Sequence, residues 1–244
     1  MYKELLLDSS LSYNSSQPSW SLPSSPYIEN FKILSVSIPA SFYGVGPHNN
    51  LVKFKLAGST VYTAIIPPGQ YNVMNFPIAL IAAMNAANNN GFAATFDDVR
   101  KTFSVTGSAP FSILALSSGS TAYRLIGSKK TDHSTLATTF TGNTVDLNGT
   151  NSVILTSNSL ISRDSVYVNS QSSNVLALIP LTSPQNTMNY WVNHGSYLKV
   201  GQEMPYINFQ LLDAQTMQTL DLNGASFVVH LGYTDDPDDP ISIV

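Results

Sequence analysis

Four histidines, His48, His133, His194 and His230, are the only imidazoles available as bases for the many serines of this chain. Serine hydrolysis needs an activated hydroxyl, commonly on a Gly-x-Ser-x-Gly turn between strand and helix, and no such pentapeptide occurs. Three of the histidines fall in segments that read as loops; His230 falls on a strand, where an ordinary hydrogen bond accounts for it. Metal chemistry has as little to work with. No His-x-His or His-x-x-x-His pair is present, and the chain has no cysteine, which excludes thiolate sites, disulfides and cysteine nucleophiles. Asp235, Asp236, Asp238 and Asp239 have the oxygen ligands calcium prefers, but Pro237 and Pro240 hold the segment extended and separate the carboxylates. Asp97-Asp98 reads as a turn pair. Glycine-rich phosphate cradles are absent. Arg163-Asp164-Ser165 is not an Arg-Gly-Asp loop. No catalytic residue, cofactor or metal site is expected.

Binding chemistry is better represented. Tyr190 and Trp191, beside Asn193 and His194, form a candidate stacking platform for a glycan, the reading of a lectin or fibre head. Four other features point to assembly. Trp20 and Leu22 punctuate a Ser-, Pro- and Asn-rich stretch, 8–26, that reads as an extended arm docking on a partner. Leu80 and Met84 lie on a helix that is apolar nearly all round. Ile241 and Ile243 form a β-prone patch on an acidic tail, suited to adding a strand to a neighbour's sheet edge. Charged residues make up only 11% of the 244, against about 25% in ordinary globular proteins, so much of the surface is expected to meet partners. The net charge of −4 argues against a nucleic-acid face. Residues 1–8 lack a basic region followed by a long apolar one, and no stretch is long enough to span a bilayer. The expected place of synthesis is cytosolic or nuclear. Asn14-Ser15-Ser16 and Asn148-Gly149-Thr150 are then chance matches to the glycosylation pattern.

The elements that would position these residues are mostly strands. Residues 27–39 alternate apolar and polar, with a slip at Leu34-Ser35, and Pro39 ends the run. Residues 51–56 and 60–66 form a pair around Ala57-Gly58-Ser59. A helix is expected over 76–87, capped by Asn75, with Pro77 in its first turn and Gly91 after its end. An all-round apolar helix should be covered on more than one side, by a sheet and by loops or a neighbouring copy. A hairpin follows, 92–96 and 101–105 around Asp97–Arg100. Further strands are expected at 111–116, 145–147, 153–156, 174–181, in two pieces over 188–200, at 206–212 and at 226–234. A second short helix is expected at 121–126 between Ser120 and Gly127, and 128–143 reads as an exposed loop. About ten strands and two short helices predict an all-β, single jelly-roll β-sandwich. The expected division is an extended arm over 1–26, a jelly-roll domain over 27–234 and an acidic tail over 235–244.

The order of these pieces resembles a known family. A strand ending Ile38-Pro39 precedes Phe42-Tyr43-Gly44-Val45. The charged hairpin 51–66 precedes Ile66-Pro67-Pro68-Gly69-Gln70-Tyr71. The helix ends in asparagines, and Phe92-x-x-x-Phe96-Asp97 and Lys101-x-Phe103-x-Val105 follow. Ser120–Gly127, Val145–Gly149, Val153–Asn158, Asp221–Gly224 and Phe227–Leu231 continue the pattern, so the match spans 27–233. This order is similar to the single jelly-roll penton proteins of virophages and polinton-like viruses. The resemblance implies a homopentamer at the five-fold vertices of an icosahedral virion, contacting the major capsid protein and minor capsid proteins, assembled in the infected host cell. It carries over no catalytic residues.

Overall fold

The computed structural model describes residues 2–12, 18–133, 135–147, 149–160, 174–183, 187–195 and 197–236. Ile241 and Ile243 lie outside the described residues, as do Arg163, Asp164, Asp238 and Asp239. Of the described residues 47% are in strands and 7% in helices, and the chain is an all-β protein of the jelly-roll kind. It divides into two compact units. Unit 1 comprises Met1–Phe42 and Thr150–Val244, and unit 2 is Tyr43–Gly149.

In chain order, unit 1 begins with β1 (Tyr2–Asp8), β2 (Ser19–Ser21) and β3 (Tyr27–Pro39). Unit 2 holds β4 (Leu51–Leu56), β5 (Val61–Ile65), α1 (Phe76–Ala87), β6 (Ala93–Asp97), β7 (Thr102–Ile113) and β8 (Ala137–Thr144). Unit 1 resumes with β9 (Ser152–Ser157), β10 (Asn174–Pro180), β11 (Met188–Val192), β12 (Leu198–Glu203), β13 (Tyr206–Asn208), β14 (Gln210–Asp213) and β15 (Val228–Thr234).

Unit 1 is organised around β3. One edge of this 13-residue strand pairs with β15, and β15 pairs with β1. The other edge is shared by two short strands: β11 lies against Ser35–Pro39 and β12 against Tyr27–Phe31. A second antiparallel sheet, β10-β9-β14, supplies the opposing layer, and β13 pairs with β2. Ile28, Phe31, Ile33, Val36 and Ile38 of β3 share one core with Val153 and Leu155 of β9 and Val229 and Leu231 of β15. The slip read at Leu34-Ser35 is a β-bulge: His230 pairs with Ser35 and Leu231 with Ile33, leaving Leu34 as the extra residue. Its carbonyl accepts the backbone N–H of Asn193 at 2.9 Å. The bulge restores the inward face, because without it a strand of period two would turn Val36 and Ile38 to solvent.

The first residues, 1–7, admit one turn of helix or a short strand from sequence, and the strand is what forms. Residues 2–8 are a strand paired along its length with β15, and Asp8 accepts the Ser10 N–H to cap a short 3-10 turn at Ser9–Leu11.

Unit 2 is one antiparallel sheet, β5-β4-β7-β6, with β8 on the other edge of β7. The strands expected at 101–105 and 111–116 are one, β7, which carries an irregularity between Thr106 and Phe111 where it faces β8. Asn90 holds that stretch through its side chain: Nδ2 donates to the Ala109 carbonyl at 3.0 Å and Oδ1 accepts the Ala109 N–H at 2.8 Å. Asn85 clamps Phe92 in the same two-way fashion. The asparagines after the helix thus both end it and align the next strands.

Two expectations in unit 2 are overturned. The second helix at 121–126 is a run of turns. Ser120 Oγ accepts the Lys53 N–H at 2.7 Å, and Thr121 Oγ1 accepts the Leu51 N–H at 3.0 Å. These hydroxyls extend the ladder of β4 instead of capping a helix. The loop expected over 128–143 contains β8, whose threonine-rich sequence hides the alternation because only Phe140 of the strand is buried.

Candidate assembly surfaces

The helix α1 has its expected span, but its cap differs. Asn75 makes no side-chain cap bond. Asn72 Oδ1 instead accepts the N–H groups of Met74 and Asn75 at 2.9 and 3.0 Å, starting the turn that leads into the helix. One face of α1 is buried: Phe76, Pro77, Leu80 and Met84. Leu80 and Met84 are 1% and 0% exposed inside the core that includes Phe54, Phe103 and Phe111. They pack the core of their own unit. Of the further covers expected for the helix, loops or a neighbouring copy, no described loop closes over its outer side. Met74 and Ile78 are 76% and 65% exposed, and Ala82 and Ala86 continue the same line at four-residue spacing. Residues 72–90 carry no charge, so this open stripe is apolar and neutral.

Leu22 is internal too, and Trp20 is partly buried against the core of unit 1. Leu22 is 8% exposed, the Trp20 ring lies 5.9 Å from that of Phe209, and Trp20 Nε1 donates to the Asp8 carbonyl at 3.0 Å. They fasten β2 onto unit 1. An indole in a polar segment is as well explained by docking on its own domain as on a partner, and only the tertiary structure separates the two.

The glycan platform does not form. Successive strand residues point to opposite faces. On β11, Tyr190 is 67% exposed while Trp191 turns inward and packs against the core of unit 1. Asn193 Oδ1 accepts the Gly195 N–H at 2.7 Å, shaping the following turn. What β11 presents outward is a row of Met188, Tyr190 and Val192, all exposed. Its neighbours on that face of β3 are Ser37 and Ser35.

Two of the four histidines, His133 and His230, take structural places. His133 Nε2 lies 3.1 Å from Ser128 Oγ, the separation of a base and a nucleophile. That hydroxyl, however, donates to the Lys129 carbonyl at 2.9 Å, and the serine is buried. The proton is already committed, so the pair is not poised for attack. The His133 carbonyl accepts from Ser112 Oγ, and its ring meets Phe140 edge-on with centroids 4.7 Å apart. Asp132 accepts backbone N–H groups of Leu116 and Ser117. The Ser117 hydroxyl and then these N–H groups hold its carboxyl below the usual range. These residues border a cavity of about 370 Å³ lined also by Phe111, Thr139 and Thr141. Among the described residues, no three His, Asp or Glu side chains gather as a metal site. Asp97 accepts the Val99 and Arg100 N–H groups at 3.0 Å and closes the hairpin turn.

His230 belongs to a polar cluster that fastens β1. Its Nε2 lies 2.9 Å from Glu4 Oε2, and Lys3 Nζ lies 2.7 Å from Asp235. The Tyr2 hydroxyl bonds Glu4; burial first, and then this carboxylate, push the tyrosine up to about 12. Glu4 is held below its ordinary value first by Tyr2 and then by His230, Asp8 by Ser10, and Asp235 by Lys3. A depressed carboxylate stabilises the fold above its unfolded pKa, and that contribution is lost as pH falls through the folded one. We therefore expect β1 to loosen on acidification from about pH 4.5 downward, with the contribution of these groups fully present and independent of pH near neutrality. Emission of Trp20 in a Trp191→Phe variant reads this, since its indole is tied to Asp8. An unchanged spectrum between pH 7 and pH 2 would refute the coupling.

Sequence reasoning missed the buried carboxylates Glu29 and Asp213, of which Glu29 is ion-paired. Glu29 is 6% exposed on β3, its Oε1 lies 3.0 Å from Lys199 Nζ on β12, and Tyr27 donates to its Oε2 at 3.1 Å. Its place one residue after Ile28, within an alternating run, hid it.

No family model and no curated protein matches the sequence. Solved structures do. The crystal structure of the selenomethionine-labelled mavirus penton protein is similar at a TM-score of 0.50 with 11% identity, over 96% of this chain and 99% of that one. A chain in the cryo-EM structure of the Sputnik virophage is similar at 0.44 with 12% identity, over 96% and 97%. At 11% identity the first likeness shows a shared fold: nearly the whole chain follows the course of the mavirus penton protein, as the order of its sequence elements implies.

Proposed function

We propose that this chain is a structural capsid protein that forms a homopentamer at the five-fold vertices of an icosahedral virion and packs against the major capsid protein. Its role is mechanical and not enzymatic, and its place is the virion, after assembly in the infected cell. The observation that carries this reading is the full-length likeness of fold to the mavirus penton protein. Two surface features support it. The stripe Ile78, Ala82 and Ala86 on α1, with Met74 in the turn before it, and the row Met188, Tyr190 and Val192 on β11 expose apolar side chains in stretches free of charged residues. Such patches mark contact surfaces. A ring places different patches of successive subunits against each other, which suits two unlike surfaces better than one self-matching one.

Native mass spectrometry of the purified chain across a concentration series tests the reading. A discrete species of five chains is the expected result. A trimer, or a monomer that fails to enter particles when the other capsid proteins are supplied, would overturn it.

A further inference from the structure

The dipeptide Asn-Gly occurs at Asn90-Gly91, Asn148-Gly149 and Asn223-Gly224. Asn148 lies outside the described residues. Such a pair can modify itself. The glycine N–H gives its proton to solvent base, and its nitrogen attacks the asparagine Cγ. A C–N bond forms and the side-chain amide leaves as ammonia. The succinimide ring then takes up water and opens to aspartate or, through the other carbonyl, to isoaspartate, whose main chain is one methylene longer. Glycine favours the attack because no Cβ hinders the close approach. The reaction consumes only water, but it needs room.

The structure gives that room at one of the two described pairs. Asn90 is 7% exposed, and both ends of its amide are bonded to Ala109. A Cβ at Gly91 would stand 2.6 Å from Ser108 Oγ, so this turn is closely packed. Asn223 and Gly224, in the turn before β15, are both exposed. Their φ angles are +51° and +81°, and the space around the Gly224 Cα is open. The Gly224 N–H meets no acceptor among the described residues, which leaves the attacking nitrogen uncommitted. One surface bond holds the Asn223 amide, from Nδ2 to the Ser41 carbonyl at 2.6 Å.

We propose that Asn223 is a self-modification site, and that its conversion to aspartate and isoaspartate opens a clasp within unit 1. The clasp ties the loop after β3 to the turn before β15. Asn223 donates to the Ser41 carbonyl, and Ser41 Oγ donates to the Leu222 carbonyl at 2.6 Å. Their sequence neighbours Phe42 and Leu222 are buried in one core. After the reaction a carboxylate faces the Ser41 carbonyl with no proton to donate, and Asp221 adds a second negative charge two residues away. The Asn90 clamp on β7 is spared, so the two identical dipeptides have opposite fates.

The purified full chain is incubated at mildly alkaline pH, folded and, in parallel, in urea. Digestion and mass spectrometry then locate aspartate and isoaspartate. In the folded chain Asn223 should convert at least about tenfold faster than Asn90, whose amide must first break two buried hydrogen bonds. In urea the two should convert at similar rates. Equal rates in the folded chain overturn the selection, as does an Asn223 that reacts only in urea. The clasp has its own readout, hydrogen exchange at Ala225, whose N–H donates to the Leu222 carbonyl at 3.0 Å. In an Asn223→Asp variant and in the aged chain this exchange should rise at least about tenfold. Unchanged exchange in both overturns the opening of the clasp.

Discussion

An aspartate at Leu80 or Met84 should unfold unit 2, whereas the same charge at Ile78 should leave the monomer folded and abolish the proposed assembly. The three positions lie on one short helix and differ only in the face they occupy. Leu80 and Met84 are sealed in the unit 2 core beside Phe76. Truncating such a side chain costs about 2–5 kcal/mol, and a carboxylate there must either lose its hydration or take up a proton. The sum exceeds about 5 kcal/mol, comparable to the whole stability of an ordinary domain. Ile78 is 65% exposed, so a charge there costs the monomer almost nothing. In a ring, the same charge would be buried without a partner. Circular dichroism melts and native mass spectrometry on the three variants decide the matter. A well-folded Leu80→Asp protein would mean that α1 is wrongly placed. A normal assembly of Ile78→Asp would remove this stripe from the contact surfaces.

Replacing Gly142 by alanine should cost about 3 kcal/mol or more and strip β8 from its sheet. A Cβ at Gly142 would run into the Ile126 carbonyl, and one at Gly127 would run into the backbone of Asn143. The two glycines let these segments approach closely enough for Asn143 N–H to donate to the Gly127 carbonyl at 2.6 Å. Neither clash can be relieved by a side-chain rotation, because the obstacles are backbone. Gly119 is the control. It has a φ of +74° and open space around its Cβ position, so Gly119→Ala carries backbone strain alone, about 1–2 kcal/mol. Chemical denaturation of the two variants measures the difference. Equal losses would show that the close approach contributes nothing.

The all-β class, the central helix and most strands were legible because they rest on local patterns. In β3 the alternation was clear enough to expose the bulge at Leu34. Gly91, expected as a left-handed residue after the helix, has a φ of +57°. Where the sequence misled, a local signal had been used for a distant purpose. Ser120 and Gly127 looked like the ends of a helix, yet Ser120 bonds β4 and Gly127 makes room for β8. β8 escaped notice because an edge strand with a single buried residue has hardly any hydrophobic period to read. The expected contact residues were read from apolarity, which does not say which side of an element faces a neighbour. Trp20, Leu22, Leu80 and Met84 were chosen for being apolar, and apolar residues are claimed first by their own core.

By itself the sequence determined that this is a cysteine-free, charge-poor chain of strands with one apolar helix, and that its elements run in the order of a penton-like jelly roll. Composition and period are properties of neighbouring residues, so they survive without coordinates. Only the tertiary structure decided which side of each apolar element stays open. It turned Trp191 inward and Tyr190 outward, and buried Leu80 and Met84 while exposing Ile78. That choice depends on which distant segments fold back onto each face. No local pattern can encode it, because a residue buried by its own chain and one awaiting a neighbour are chemically the same.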